Sequence, residues 1–100
     1  MELLKVFKAL SNETRLQIVQ WLKNPEAHFP KPQHGDIHED GVCVNDIHKK
    51  VGLSQSTVSH YLSMLQNAGL IKAKRVGQWT YYKRDEENIK KLNELLSRDL

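Results

Sequence analysis

The sequence predicts a mainly α-helical domain with one β-hairpin near its C-terminal end. Apolar residues recur at helical spacing through the first part of the chain, the spacing becomes alternating at Ile71, and it is helical again after Asp85. The length of 100 residues suits one domain with a modest core. We therefore expect a single domain over residues 1–100, built in the order α-α-α-α-β-β-α.

Two apolar stripes predict the first two helices. Their members are Leu3, Leu4, Val6, Phe7 and Leu10 in the first helix, and Leu16, Ile18, Val19 and Leu22 on the buried side of the second. Residues 11–14 (SNET) interrupt the stripes and offer capping side chains for the second helix. That helix must end by Asn24, because Pro25 disfavours helical geometry in the residue before it.

Residues 25–41 predict an irregular insertion, because they hold three prolines, two glycines, three histidines and four acids. Between Glu26 and Asp46, five acids oppose one base, so this segment carries −4, whereas the remaining residues carry +7 of a total charge of +3. This asymmetry indicates a basic body that could contact a polyanion, interrupted by one acidic segment.

A pair of helices joined by a tight turn is predicted next. Val44, Ile47, His48 and Val51 fit a short helix that ends at Gly52, and Ser54 is the expected N-cap of a helix that continues to about Asn67. The inner stripe of this second helix consists of Val58, Tyr61, Leu62, Leu65 and Ala68. Two helices around a glycine-containing turn match a helix-turn-helix unit.

The expected hairpin has strands at residues 71–76 and 79–83 around a turn at Gly77 and Gln78. Its return strand contains Trp79, Tyr81 and Tyr82, of which at least two are expected to anchor the hairpin to the core. The closing helix carries an apolar side formed by Ile89, Leu92, Leu95 and Leu96.

The outer side of the helix at residues 54–67 is polar and contains no charged residue. Short polar side chains on a helix suit the major groove of DNA, where Gln can make a paired contact with adenine, and a basic hairpin can hold phosphates. The candidate DNA contacts are Ser54, Gln55, Ser56, Thr57, Ser59, His60 and Ser63 on the helix, with Lys74, Arg75 and Gln78 on the hairpin. The pattern indicates a sequence-specific DNA-binding protein.

Three segments of the chain form an ordered set of motifs: residues 7–16 (FKALSNETRL), residues 52–62 (GLSQSTVSHYL) with Leu65 and residues 68–71, and residues 77–82 (GQWTYY). Together they resemble the ArsR/SmtB-type family of winged helix-turn-helix transcriptional repressors. The resemblance implies a homodimer, joined through its first and last helices, that represses by occupying an inverted-repeat DNA operator and is released by a signal. Tyr61 stands where many members have a histidine, and its place in the inner stripe favours packing over recognition.

The signal is left open by the sequence. Cys43 stands where metal sensors of the family carry the first thiolate of a Cys-x-Cys pair, but Asn45 replaces the second, and no histidine follows His60 to form the family's last-helix site. The remaining candidate ligands lie in the insertion and at Cys43, and they form a histidine, carboxylate and thiolate set that zinc or nickel would accept: His28, His34, His38 and Cys43, with Asp36, Glu39 and Asp40. Their spacing matches no defined motif, so we expect no cofactor.

Two alternatives keep the fold and change the function: a module that binds DNA without sensing a ligand, and an interaction domain that binds protein. We expect no enzymatic activity, because the serines near His60 have no accompanying acid pair or phosphate-binding glycine loop. A single cysteine, no signal-peptide pattern and no apolar run of membrane-spanning length predict a cytoplasmic protein without contact with a membrane.

Overall fold

The computed structural model describes residues 1–100 and confirms a mainly helical domain with a β-hairpin. Its helices are α1 (Leu3–Leu10), α2 (Glu13–Lys23), α3 (Val44–Val51), α4 (Gln55–Asn67) and α5 (Glu86–Asp99); its strands are β1 (Val42–Cys43), β2 (Ile71–Val76) and β3 (Trp79–Arg84). A single 3-10 turn follows α2 at Pro25–Ala27. None of the five helices has the length and hydrophobicity that crossing a membrane requires.

Local capping fixes where three of the helices begin. The side chains of Asn12, Ser54 and Asp85 each accept a hydrogen bond from the backbone N–H three residues ahead, at 3.0, 3.3 and 3.1 Å. Each bond satisfies a donor that the first helical turn leaves without a partner. Gly52 ends α3 in the left-handed conformation, with φ at 74°. The boundaries predicted from these residues are confirmed.

The hairpin belongs to a three-stranded antiparallel sheet in the order β1-β3-β2. Val42 pairs with Tyr82 and Cys43 with Tyr81, so β3 has a partner on both sides. The sequence prediction of a two-stranded hairpin lacks β1. A strand of only two residues shows no alternation of its own, and its partner lies far along the chain, so local periodicity contains no signal for it.

The core lies between the helices and one face of the sheet. Its largest fully buried aliphatic side chains are Val6, Ile18, Ile47, Val58, Leu62, Leu65, Leu70 and Ile71. Leu16, predicted on the buried side of α2, is 40% exposed, so that prediction is wrong. Ile18, Val19 and Leu22 already fill the inner side of α2, and Leu16 projects outside the arc that they cover.

The insertion packs over the face of the sheet that points away from the core. Residues directly opposite each other in a sheet share a face, which places Cys43, Lys74 and Tyr81 together on this outer face. The insertion covers it so closely that Tyr81 is only 2% exposed, and the Tyr81 hydroxyl donates a 2.6 Å hydrogen bond to the carbonyl of His34. Phe29 and Ile37 extend from the insertion into the core, so the segment is packed although it is irregular.

Gly41 is the point at which the insertion meets the sheet, and it permits close approach of the two. Its φ is +108°, and a Cβ at this position would lie 2.3 Å from the carbonyl oxygen of Tyr82. We expect Gly41→Ala to lower the free energy of unfolding by about 3 kcal/mol or more, because backbone strain and a clash with β3 add together.

Gly77→Ala is the matched control, since Gly77 also has a positive φ, +62°, but no atom lies within 4 Å of the added Cβ. This control is expected to cost about 1 kcal/mol, the penalty of the left-handed conformation alone. Urea denaturation of both variants measures the difference. Equal losses of stability in the two would contradict the close packing of Gly41 against β3.

Candidate nucleic-acid interface

One side of α4 is buried and the opposite side is open to solvent. Val58, Leu62 and Leu65 face the core and are almost completely buried. The exposed polar residues on the other side, here called the α4 polar face, are Ser54, Gln55, Ser56, Ser59, His60, Ser63 and Gln66. Thr57, the remaining helical residue predicted to contact DNA, is half-buried. The helix therefore presents a continuous uncharged surface.

The first turn of α4 contains a small hydroxyl network. Ser54 Oγ accepts from the backbone N–H of Thr57 and donates to Thr57 Oγ1 at 2.8 Å. These two hydroxyls therefore set the start of the helix. Gln55 and Ser56 follow directly and are exposed, next to backbone N–H groups that a helix N-terminus leaves available to an anion.

Tyr61 ties α4 to the corner between α1 and α2. It is half-buried, and the guanidinium of Arg15 lies 5.0 Å from the centre of its ring, within the range of a cation–π interaction. Arg15 Nε also donates a 2.8 Å hydrogen bond to the carbonyl of Ala9, near the C-terminal end of α1. The contact with Arg15 agrees with the expectation that Tyr61 packs rather than reads DNA.

The tip of the hairpin holds two of the predicted DNA contacts. Arg75 and Gln78 flank the turn at Gly77 and are both exposed. Arg75 Nε donates to the carbonyl of Gly77 at 3.2 Å, so the base of the guanidinium is fixed while its outer nitrogens remain exposed. The tip therefore offers one cation and one amide beyond the body of the domain.

Lys74, predicted with Arg75 as a phosphate contact, is engaged within the protein. Its ammonium lies 2.5 Å from the Oδ1 of Asp40, and the side chain of Asp40 is 12% exposed. The hydrogen bond between them lowers the pKa of the Asp40 carboxyl and raises the pKa of Lys74, so both groups are held in their charged forms. Lys74 therefore differs from Arg75, because the charge of Lys74 is already paired with that of Asp40.

The base of the hairpin is also occupied by internal contacts. Lys83 Nζ donates to the carbonyl of Glu39 at 2.8 Å, and Arg84 makes two hydrogen bonds of 2.6 and 2.7 Å to the carboxylate of Glu86. Glu39 and Asp40 were considered from the sequence only as candidate metal ligands, and their contacts with lysines of the hairpin were not predicted. The only signal for them was the acidic character of the insertion beside a basic strand.

The candidate metal ligands are spread over separate contacts. His38 Nε2 lies 2.6 Å from Glu26 Oε1, the ring of His34 stacks against Trp79 at 6.2 Å, and Cys43 lines a cleft of about 310 Å³ between the insertion and the sheet. His28 lies beside Trp21. No three His, Cys, Asp or Glu side chains are placed to hold one metal ion.

Known proteins are similar to this chain in sequence and in architecture. The family profile described as "Bacterial regulatory protein, arsR family" matches residues 39–73. The uncharacterized HTH-type transcriptional regulator YbzH of Bacillus subtilis is 55% identical over 100 residues, which is the full length of both chains. A homologue of the cadmium resistance transcriptional regulatory protein CadC from Staphylococcus aureus is 35% identical over 94% of this chain, which spans 66% of that protein.

A solved structure agrees with the fold. The solution NMR structure of the homodimeric winged helix-turn-helix DNA-binding domain Mb0332 from Mycobacterium bovis has a TM-score of 0.66 and 29% identity, over 95% of this chain and 74% of that one. Sequence and architecture lead to the same group of proteins. The chain belongs to the ArsR family of winged helix-turn-helix DNA-binding transcriptional regulators.

Proposed function

We propose that this regulator is a homodimeric repressor that inserts α4 into the major groove of an inverted-repeat operator and is released by a signal. The α4 polar face is the observation that supports the proposal. Exposed helix surfaces usually carry Glu, Lys and Arg, whereas this one has no charged residue from Ser54 to Gly69. Such a surface can enter a groove without burying an unpaired charge.

The chemistry of the face supports reading of base edges near the start of α4. The amide of Gln55 can pair with N6 and N7 of adenine, and the hydroxyls of Ser56 and Ser59 can bond either bases or phosphates. His60 lies one turn further along the exposed side. The N-terminal half of the helix therefore determines sequence preference, as in other helix-turn-helix proteins.

The hairpin tip supplies affinity in this proposal. Arg75 and Gln78 extend beyond the body of the domain and would contact the sugar–phosphate backbone beside the groove occupied by α4. A phosphate contact is insensitive to base sequence and weakens as the salt concentration rises. The helix and the hairpin thus have separate roles, and mutation can distinguish them.

An exposed apolar surface supports the dimer. Leu4 and Phe7 of α1 are 61% and 43% exposed, and Leu95 and Leu96 of α5 are only half-buried within one chain. Side chains of this size left in water on two helices indicate surfaces that a partner covers. A two-fold dimer would place the two α4 helices about 34 Å apart, one turn of DNA, and hence on inverted half-sites.

Gln55→Ala tests base reading. With an operator selected from random duplexes, we expect this variant to lose about 1–3 kcal/mol of discrimination at one base pair of each half-site and little elsewhere. Fluorescence anisotropy with the operator and its single-base-pair variants measures the change. Gln17→Ala, an exposed glutamine of α2, is the control. An unchanged preference at every position would contradict base reading by Gln55.

Arg75→Gln tests the phosphate contact. The variant is expected to weaken binding to all duplexes by a similar factor and to reduce the slope of log K against log salt concentration by about 1 for each hairpin in the complex. Lys90→Gln removes one exposed charge from the side of α5 away from Leu95 and Leu96 and is the matched control. A loss confined to one base pair, or a salt dependence like that of the control, would remove Arg75 from the proposed interface.

Phe7→Glu tests the dimer. A carboxylate in an apolar interface is desolvated without a partner, so we expect dissociation into monomers in sedimentation-velocity measurements and weaker operator binding. Lys5→Glu, on an exposed part of the same helix, should leave the dimer intact. A stable dimer of the Phe7→Glu variant would place the interface elsewhere.

A further inference from the structure

We propose that Asp40 sets the DNA affinity of the hairpin by holding the ammonium of Lys74 in an internal ion pair, as an intramolecular substitute for a DNA phosphate. This inference rests on the proposed function, because it concerns the same DNA-contacting hairpin. It adds a role for the acidic insertion, and it distinguishes two basic residues of β2: Arg75, which is available to DNA, and Lys74, which is withheld.

The ion pair is part of a set of contacts that fasten the insertion to the outer face of the sheet. Asp40 Oδ1 binds Lys74 at 2.5 Å, while its Oδ2 accepts the backbone N–H of Asp36 at 2.8 Å. The Tyr81 hydroxyl and the Lys83 ammonium bind two further carbonyls of the insertion, at 2.6 and 2.8 Å. The acid is therefore held in place from both sides and does not depend on Lys74 for its position.

Lys74 lies close to the hairpin tip. It precedes the exposed Arg75 in β2, two residues before the end of the strand, so the two side chains point to opposite faces of the sheet, and that of Lys74 is half exposed. Its ammonium nevertheless lies against a carboxylate that contributes an opposite charge at close range. An approaching phosphate must compete with that carboxylate and is also repelled by it, so Lys74 adds little to DNA affinity while the pair is formed.

Asp40→Asn removes the charge and preserves the shape. An asparagine oxygen can still accept the hydrogen bond from the backbone of Asp36, and the contacts of Tyr81 and Lys83 do not involve the side chain of Asp40. The hairpin therefore keeps its position while Lys74 becomes free. The two possible effects of the substitution have opposite signs: displacement of the hairpin would lower DNA affinity, whereas release of the Lys74 ammonium would raise it.

The test is a double-mutant cycle of Asp40→Asn and Lys74→Gln on DNA affinity between 50 and 200 mM salt. Release of one cation per hairpin should make the slope of log K against log salt steeper by up to about 0.9 for each hairpin in the complex, which is about a 3.5-fold greater change in affinity per hairpin over that range. We expect Asp40→Asn to bind about 3-fold more tightly per hairpin at 50 mM salt, Lys74→Gln alone to bind as the wild type does within about 1.5-fold, and the double variant to lose the gain.

Glu94→Gln is the control for loss of one negative charge, because Glu94 is exposed on α5 and pairs with no cation of the hairpin. Thermal unfolding followed by circular dichroism establishes that each variant folds. The Lys74→Gln arm decides the question even without Asp40→Asn: a loss of affinity as large as that of Arg75→Gln would show that Lys74 contacts DNA in the wild type and would overturn the proposal. A gain in Asp40→Asn that is no larger than in Glu94→Gln would also overturn it.

Salt elution from heparin–agarose separates this proposal from the proposed function. Heparin is a polyanion that requires no base reading, so it tests the availability of Lys74 directly. We expect Asp40→Asn to elute at higher salt than the wild type, and the double variant to elute with the wild type. Wild-type protein that selects no duplex would contradict the proposed function alone, whereas identical elution of Asp40→Asn and wild type would contradict the role of Asp40.

Discussion

Burial of one side of α4 is the constraint on which the rest of this structure depends. Val58, Leu62 and Leu65 are inserted into the core, and their burial fixes the rotation of the helix about its axis. The polar residues on the opposite side of the helix therefore face solvent. A surface without charge, which would be an unusual way to keep a helix soluble, becomes reasonable when its partner is the floor of a DNA groove. The hydrophobic core thus orients the proposed recognition surface, and the contact of Arg15 with Tyr61 fastens the same helix to α1 and α2.

β3 has a comparable role for the hairpin. It pairs with β2 on one side and with β1 on the other, so the hairpin is joined to the body of the domain rather than projecting from it by two strands alone. One face of β3 adds to the core, and its other face receives the insertion through Tyr81 and Lys83. The insertion therefore adjoins the hairpin proposed to bind DNA. Its acidic charge reaches Lys74 on one face of β2 and leaves Arg75, on the other face, exposed.

Features of the fold with a local cause were predictable from the sequence, and features that depend on residues far apart in the chain were not. Asn12, Ser54 and Asp85 cap helices through bonds that span three residues, so the positions of those helices were readable from the chain. The polar face of α4 followed from periodicity in the same way. Lys74 and Asp40 are separated by 34 positions, and no pattern in the sequence assigns one to the other. β1 was not predicted either, because its pairing partner β3 lies far along the chain. The exposure of Leu16 shows that an apolar residue next to an apolar stripe need not be buried with it.

The central claim is that the α4 polar face and the hairpin tip together form the surface that meets DNA. Backbone chemical-shift mapping by NMR, with a duplex selected by the protein from a random pool, measures that surface residue by residue. The account predicts that the amides of residues 55–60 and 75–78 shift on titration, and that those on the outer side of α5 do not. Shifts confined to other elements, with residues 55–60 unaffected at saturation, would contradict it.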